Sequence, residues 1–411
     1  MEHMTSRERV YAAINRKEPD KVPICFGGTP GTGIEECPPD HCAATNLYEY
    51  LGLLDAEPIK LYPVCNIVSN IDARCIARLH SDMLLISDDP PGPIVIDQDY
   101  KVWPYYYGGR IKKSGIYEQI DFTNPPMAHM ITNKDIDEYP YWPDIHADIM
   151  QGVVENAKKL HDETEYFICG AQSSGHFPLN GYGLLSGMDK WLMDMKVRPK
   201  FYHQLCEKFM DYSMRLADVF YGGVGKYLDA TVVYDDLGYQ TGPFMSLADY
   251  REFYKPYQAE MIKHIRKHLR PETKIILKSG GSIIHFIRDL IEIGVDVLSP
   301  LQPLAKNMEP WRLKKEYGKD VSFLGGFDIQ SLLPFGKAKD IRKGVKLLID
   351  EYAKGGGYIF SASYIIQCNT PPENIVAMFD TAYEYGTYPI ADHKDSITYV
   401  DFIKGLDLRI V

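Results

Sequence analysis

The stretch ATVVYDDLGYQTGPFMSLAD, residues Ala230 to Asp249, decides the reading of the fold. Thr231, Val232 and Val233 form a short β-branched run, the pattern of a buried strand. The run ends in adjacent carboxylates, Asp235 and Asp236, with Gly238 close behind. A polar, aromatic loop follows. Ser246 with Asp249 three residues on then has the spacing of a capping box that opens a long helix. Strand, acidic loop, helix is one βα unit. In α/β proteins functional groups collect where the strand gives way to the loop. Aspartates also cap their own loops, and spacing alone leaves both roles open here.

The composition suits a large soluble core: 411 residues, 45% hydrophobic and 25% charged. Such a length fits two domains or one α/β barrel with insertions. The net charge is -11 and no cluster of Lys and Arg dominates, so nucleic acid is not an expected partner. No apolar run approaches the ~18 residues of a membrane span. The first residues, MEHMTSRERVYAAINRKEPDKVP, are charged and helical without an apolar signal core, and the expectation is a cytoplasmic protein. The eight cysteines, at 25, 37, 42, 65, 75, 169, 206 and 368, form no C-x-x-C pair and are expected to be mostly free thiols.

Along the chain, Thr5 and Glu8 box the start of a helix over 6–15, and 21–26 reads as a strand. GGTPGTGI, Gly27 to Ile34, lacks the context of a dinucleotide fingerprint and reads as backbone that must approach a ligand or another loop. Residues 94–122 alternate, are rich in aromatic side chains and carry Gly108-Gly109, as a β-hairpin or small antiparallel sheet does. Trp103, Tyr105, Tyr106 and Tyr107 either line a pocket for a flat ligand or pack the hairpin onto the rest. From 147 onward strands and helices alternate regularly. That series predicts a parallel sheet, and the length favours closure into a (β/α)8 TIM barrel, one domain over 1–411 with the 94–122 hairpin inserted. The C-terminal extension, 388–411, lies beyond the repeats as a packing arm or part of a homodimer contact. The polar residues at strand ends then share one face: Asp235, Asp236, Lys278, Ser279, Gln302, Asp328 and Tyr364.

GGTPGTGI, YDDLGYQTGPFMSLADYREFYKPY, the glycine turn after Lys278, DVLSPLQP, FLGGFDIQSLLP, GGGYIF and TPPENIVAM occur in this order. Together they resemble the uroporphyrinogen decarboxylase superfamily, and within it the corrinoid-dependent methyltransferases of O-demethylase systems. The likeness spans most of residues 5–387. The arginine-containing segment of true uroporphyrinogen decarboxylases is missing, with GGTPGTGI in its region, which disfavours a porphyrinogen substrate. Thiol methyltransferases of the branch carry His-x-Cys-Gly and a later Cys as zinc ligands. Here the stretch is Lys278-Ser279-Gly280-Gly281, and Tyr364 stands where many relatives have His. Cys368 is the only nearby thiol, and one Cys without a His is not a zinc site. No bound metal is therefore expected at the family's position. A hard ion on Asp235, Asp236 and a third carboxylate stays open.

The resemblance implies a methyltransferase that moves a methyl group from a small O- or N-methylated donor to cobalt. No Asp-x-His-x-x-Gly stretch is present, so the corrinoid has to be supplied by a partner protein. Lys278 is placed to stabilise the leaving oxygen, with Asp235 or Asp236 holding it and Tyr364 beside it. Tyr234, Tyr239, His176, Gln302, Asp328 and Ser279 are the candidate substrate-binding residues. The alternative is a lyase, a cofactor-free decarboxylase of a small carboxylic acid. Each site residue also has an ordinary reading: Lys278 in a structural ion pair, His176 on a surface loop.

Overall fold

Short β-branched and apolar runs become seven parallel strands: β1 (Met83–Ser87), β2 (Phe167–Ala171), β3 (Ala230–Tyr234), β4 (Lys274–Lys278), β5 (Val297–Leu301), β6 (Ser322–Phe327) and β7 (Tyr358–Ala362). They lie side by side in that order. The computed structural model describes residues 3–37, 42–62, 66–89, 92–97, 100–115, 117–145, 147–173, 176–390 and 397–408.

Segment 22–26 closes the curl between β7 and β1. On one side Ile24 pairs in parallel with Phe360, and the Cys25 N–H donates to the Phe360 carbonyl at 2.9 Å. On the other the Asp82 N–H donates to the Ile24 carbonyl at 2.7 Å. The expected strand over 21–26 is present as isolated pairs rather than a continuous ladder. Pro23 has no N–H to give, and side chains take the remaining donors. The Ile24 N–H meets Asp82 Oδ2 at 2.9 Å, and the Phe26 N–H meets Ser81 Oγ at 3.0 Å. The result is the expected barrel of parallel strands.

Its interior holds Met83, Phe167, Cys169, Val232, Ile276, Val297, Leu324 and Ile359. Helix α1 (Ser6–Ile14), boxed by Thr5 and Glu8, plugs the amino-terminal end with Val10 and Ile14. Its contacts are at the starts of strands: the Arg7 N–H donates to the Glu165 carbonyl just before β2, and Ser322 Oγ, at the start of β6, donates to the Ile14 carbonyl. The opposite, carboxyl end is the mouth.

Residues 94–122 form a four-stranded antiparallel sheet, Ile94–Val95, Tyr100–Trp103, Gly109–Ser114 and Tyr117–Ile120; positions 98, 99 and 116 lie outside the described residues. Its central turn uses left-handed backbone at Tyr107 (φ 52°) and Gly108 (φ 70°). The aromatic residues pack rather than form an open slot. Trp103 stacks on Tyr106, and Tyr107 meets Phe209 and Tyr212 of the helix Pro199–Val224 edge-on.

The long helix expected after Ser246 is broken. Ser246 does cap it, but a short α-turn, Leu247–Asp249, leads into a π-helical turn, Tyr250–Tyr254, before Lys255–Arg266. Pro256 cannot donate to the carbonyl of Glu252, so the regular ladder fails there. In the C-terminal extension, 391–396 and 409–411 lie outside the described residues. Helix Tyr399–Lys404 packs back onto the barrel: buried Tyr399 accepts the Asp328 N–H at 2.8 Å, and its own N–H donates to Glu351 Oε1 at 2.6 Å. None of the described helices is long and apolar enough to cross a membrane.

Asp82 ties the closure together. It accepts from Ser6 and Arg9 of the plug and from the backbone of Ile24. Asp82→Ala leaves the buried Ile24 N–H without its acceptor, while Arg9 keeps its bidentate pair with Asp20, and should cost about 1–3 kcal/mol in urea unfolding. An unchanged midpoint would contradict this account of closure.

Candidate active site

Side chains alternate along a strand, so residues two apart share a face. Ile276 faces the interior, and Lys278, the last residue of β4, follows it there. In register beside Lys278 stand Tyr234 of β3 and Ser299 of β5. These three form the upper layer of the interior at the mouth.

Lys278 is enclosed. Its Nζ donates to Tyr364 Oη at 2.9 Å and lies 3.5 Å from Asp236 Oδ2. The Lys278 side chain is 13% exposed, whereas that of Asp236 is 49% exposed. Burial disfavours the ammonium, but Asp236 and Tyr364 outweigh it and hold the pKa above the usual lysine range. Tyr106 of the inserted sheet reaches the same field: burial pushes its phenol up, and the Lys278 charge pulls it back. The insertion's Tyr106 thus lies within the influence of the Lys278 charge, while its ring packs on Trp103.

The glycine-rich segment GGTPGTGI crosses this mouth. A Cβ on Gly31 would sit 3.2 Å from Pro300 and 3.5 Å from the Lys278 side chain, so close approach explains the glycine. Gly281, at φ +69°, lies so near Gly238 that a Cβ would come within 2.6 Å of its backbone. The glycines at 280 and 281 let the β4 loop rest on the β3 loop.

Several expected site residues are committed elsewhere. Asp235 alternates away from the cavity and is fully buried between barrel and helix. Tyr254 donates to its Oδ1 at 2.7 Å, and Gln258 donates to Oδ2 at 2.5 Å. Burial raises its pKa well above the carboxylate range. It locks the irregular helix to β3, and the two adjacent aspartates cannot share one ligand because they point to opposite sides. That removes the hard-ion site built on both. Ser279 Oγ accepts the Leu237 N–H, which makes it a loop lock. Asp328 is buried and accepts from Ser331 and Leu332, capping the turn Leu332–Phe335 rather than meeting a substrate. Tyr239 stands 51% exposed on the small hairpin Gly238–Pro243, outside the enclosed layer. Gln302 rims the mouth, where its Oε1 accepts from Gln240 and from the Gly281 N–H.

His176 is not on the surface: it is completely buried, 5.5 Å ring to ring from Tyr234. A chain of hydrogen bonds sets its tautomer. Thr231 Oγ1 donates to the Gly170 carbonyl, so Tyr221 must donate to Thr231, and His176 Nε2 must in turn donate to Tyr221 Oη at 2.8 Å. Nδ1 is left as the acceptor and has no partner among the described residues. Burial pushes the pKa down to about 3. Sequence reasoning left Tyr106 open between pocket and packing, and missed Ser299 and Asp88. Asp88 follows β1, is buried, and accepts from Ser173 and Tyr105.

Beyond Tyr364 the last loop meets the glycine-rich segment again. Ile34 pairs in parallel with Ile366, and the Glu35 N–H donates to the Ile366 carbonyl at 2.9 Å. Cys37 and Cys368, 331 residues apart in sequence, are joined as a disulfide with Cα atoms 5.9 Å apart. Cys368 is thus not a solitary thiol. Glu35 lies against the pair, and burial pushes its carboxyl up to about 7.

A closed parallel barrel with a cationic, aromatic mouth at its carboxyl end is a common enzyme plan. Residues 119–385 match the family model described as Uroporphyrinogen decarboxylase (URO-D), more than half of the chain. The chain belongs to that family. It is 31% identical over 183 residues to the uroporphyrinogen decarboxylase of Gloeobacter violaceus, 44% of this chain and 48% of that one. It is 28% identical over 136 residues to the enzyme of Thermosynechococcus vestitus, 33% and 37% respectively. The matched region thus spans about half or less of these relatives. Among solved structures, a methyltransferase from Methanosarcina mazei superposes with a TM-score of 0.63 at 17% identity, covering 93% of this chain and 99% of that chain. This last likeness is one of fold.

His176 should remain a neutral Nε2–H imidazole from pH 5 to 8. Long-range nitrogen–proton NMR spectra of the labelled protein read this directly: an Nδ1–H tautomer would refute the hydrogen-bond chain, and a doubly protonated ring at pH 6 would refute the effect of burial.

Proposed function

We propose that this chain moves a methyl group from a small O- or N-methylated donor to a corrinoid carried by a separate protein. The observation that carries the reading is the enclosed Lys278 ammonium at the mouth, beside Tyr364 and Asp236. The fold shared with the Methanosarcina mazei methyltransferase over 93% of the chain supports it. A reduced corrinoid supplies the nucleophilic metal that accepts the methyl group. The half-exposed Asp236 leaves the ion pair reachable from solvent, as delivery by a partner protein requires.

The chain's own residues act on the donor. The Tyr364 ring lies under Lys278 Nζ, Tyr234 stands beside Lys278 in register, and His176 Nδ1 offers a buried acceptor near Tyr234. As the methyl–oxygen bond breaks, negative charge grows on the oxygen. The Lys278 N–H groups stabilise that charge in a poorly hydrated site, where the effect is larger than in water. The raised pKa keeps Lys278 charged throughout the neutral range. It serves as a fixed cation and hydrogen-bond donor, and gives up a proton only to a strongly basic leaving oxygen. Membership of the decarboxylase family favours a second reading, cofactor-free decarboxylation of a small carboxylic acid, since the same ammonium would hold a carboxylate. Release of carbon dioxide without any corrinoid protein would decide for it.

Lys278→Met keeps the approximate volume and removes the charge. Methyl transfer, followed by the visible spectrum of the reduced corrinoid protein, should slow by about two decades or more, with donor affinity changing less. A variant as fast as the wild type would end the proposed role of Lys278.

Asp236→Asn removes the first of the raising influences on Lys278 and leaves burial opposed mainly by Tyr364. The Lys278 pKa should fall, so the pH–rate profile should lose activity on the alkaline side at a lower pH than in the wild type. Coincident profiles would show that Asp236 does not hold the charge.

A further inference from the structure

The geometry points to a metal site outside the Lys278 layer: in its dithiol form, the cluster of Glu35, Cys37 and Cys368 binds zinc. The ligand atoms of these three residues lie within 4.8 Å of one another. Both cysteines are almost wholly buried. Two thiolates and a carboxylate are a donor set suited to zinc, and three protein ligands leave a fourth tetrahedral position for water or a small ligand. Among the described residues no other His, Cys, Asp or Glu joins the group.

A second observation points the same way. Glu35 is a largely buried carboxyl group with no ion pair to any described cation, and the one hydrogen bond seen at its carboxylate is a long one, from the Cys368 N–H at 3.3 Å. A buried carboxylate normally has a cation or several donors. Bound zinc would supply that cation. The backbone already holds the ligands in place: the Ile34–Ile366 pairing and the Glu35 N–H to Ile366 hydrogen bond fix the two segments in register. Cα atoms 5.9 Å apart at Cys37 and Cys368 allow the side chains to converge on one ion after small rotations.

The site is distinct from the position implied by resemblance, where Lys278, Gly280 and Tyr364 stand. It is connected to the mouth through the chain. Cys368 follows Tyr364 by four residues, and Cys37 follows Gly31, which rests on Lys278 and Pro300, by six. The disulfide seen here is the oxidised form of the same cluster. A dithiol reductant converts it: the reductant loses two electrons and two protons and becomes a disulfide, and Cys37 and Cys368 become thiols. Zinc binding then releases both thiol protons to solvent. Oxidation by a disulfide of the same class reverses the sequence and expels the ion.

The test uses the full chain and reads metal, so it does not depend on the methyl-transfer reading. The protein is reduced anaerobically with excess dithiol, freed of metal and reductant, and titrated with cobalt(II). One equivalent should bind with an intense near-ultraviolet thiolate-to-cobalt charge-transfer band, and one equivalent of zinc should displace it. The oxidised protein should show no such band. Cys37→Ser and Cys368→Ser should abolish the band, and Glu35→Gln should weaken binding by at least about tenfold. Circular dichroism confirms that each variant is folded. If a cysteine variant is not, the reduced and oxidised wild type and Glu35→Gln decide. Reduced wild type that binds cobalt substoichiometrically without the band overturns the proposal. So does a folded Cys368→Ser that binds like the wild type, or a folded Glu35→Gln with unaltered affinity.

Discussion

Everything at the mouth depends on closing the barrel, which backbone pairing achieves on the β7 side and which a buried carboxylate completes on the β1 side. Asp82 holds the plug helix through Ser6 and Arg9 and holds the closing segment through the Ile24 N–H. Segment 22–26 contains a proline and cannot form a full ladder, so side chains finish what backbone pairing leaves undone. Without that closure β1 and β7 would be open edges, and the upper layer of Tyr234, Lys278 and Ser299 would face water.

Closure also creates the electrostatic problem that defines the site. An ammonium enclosed at the end of β4 loses hydration, which favours its neutral form. Asp236 and Tyr364 more than restore the charge. The two partners come from the β3 and β7 loops, so the cation is stable only when three strand ends converge. The antiparallel insertion adds Tyr106 to the same field. A charge held this way needs little reorganisation as a substrate develops negative charge, the usual source of catalytic power in enclosed sites.

The contrast between Asp235 and Asp236 shows how far local pattern reaches. Both belong to one acidic pair, and both sit where a strand ends. Period-two alternation sends one toward Lys278 and the other into the helix layer, where Tyr254 and Gln258 take it. The phase of that alternation is legible only once it is known that Tyr234 points inward. Asp328 and Ser279 fell to the same ambiguity, since polar residues at strand ends serve loops as readily as ligands. His176 was harder still, because its burial comes from packing against Tyr221, 45 residues away in sequence, and Tyr234 beyond it.

The sequence by itself determined the alternation of strands and helices, the barrel class, the inserted antiparallel sheet, the capped start of α1 and the position of Lys278 at a strand end. These follow from hydrophobic period, capping residues and glycine punctuation, which act over a few residues. The tertiary structure alone decided which distant groups meet: Lys278 with Tyr364, Asp235 with Gln258, Cys37 with Cys368 across 331 residues. Such pairings are set by the curl of the sheet and the paths of loops crossing the mouth. Both are long-range consequences of packing that no local spacing encodes.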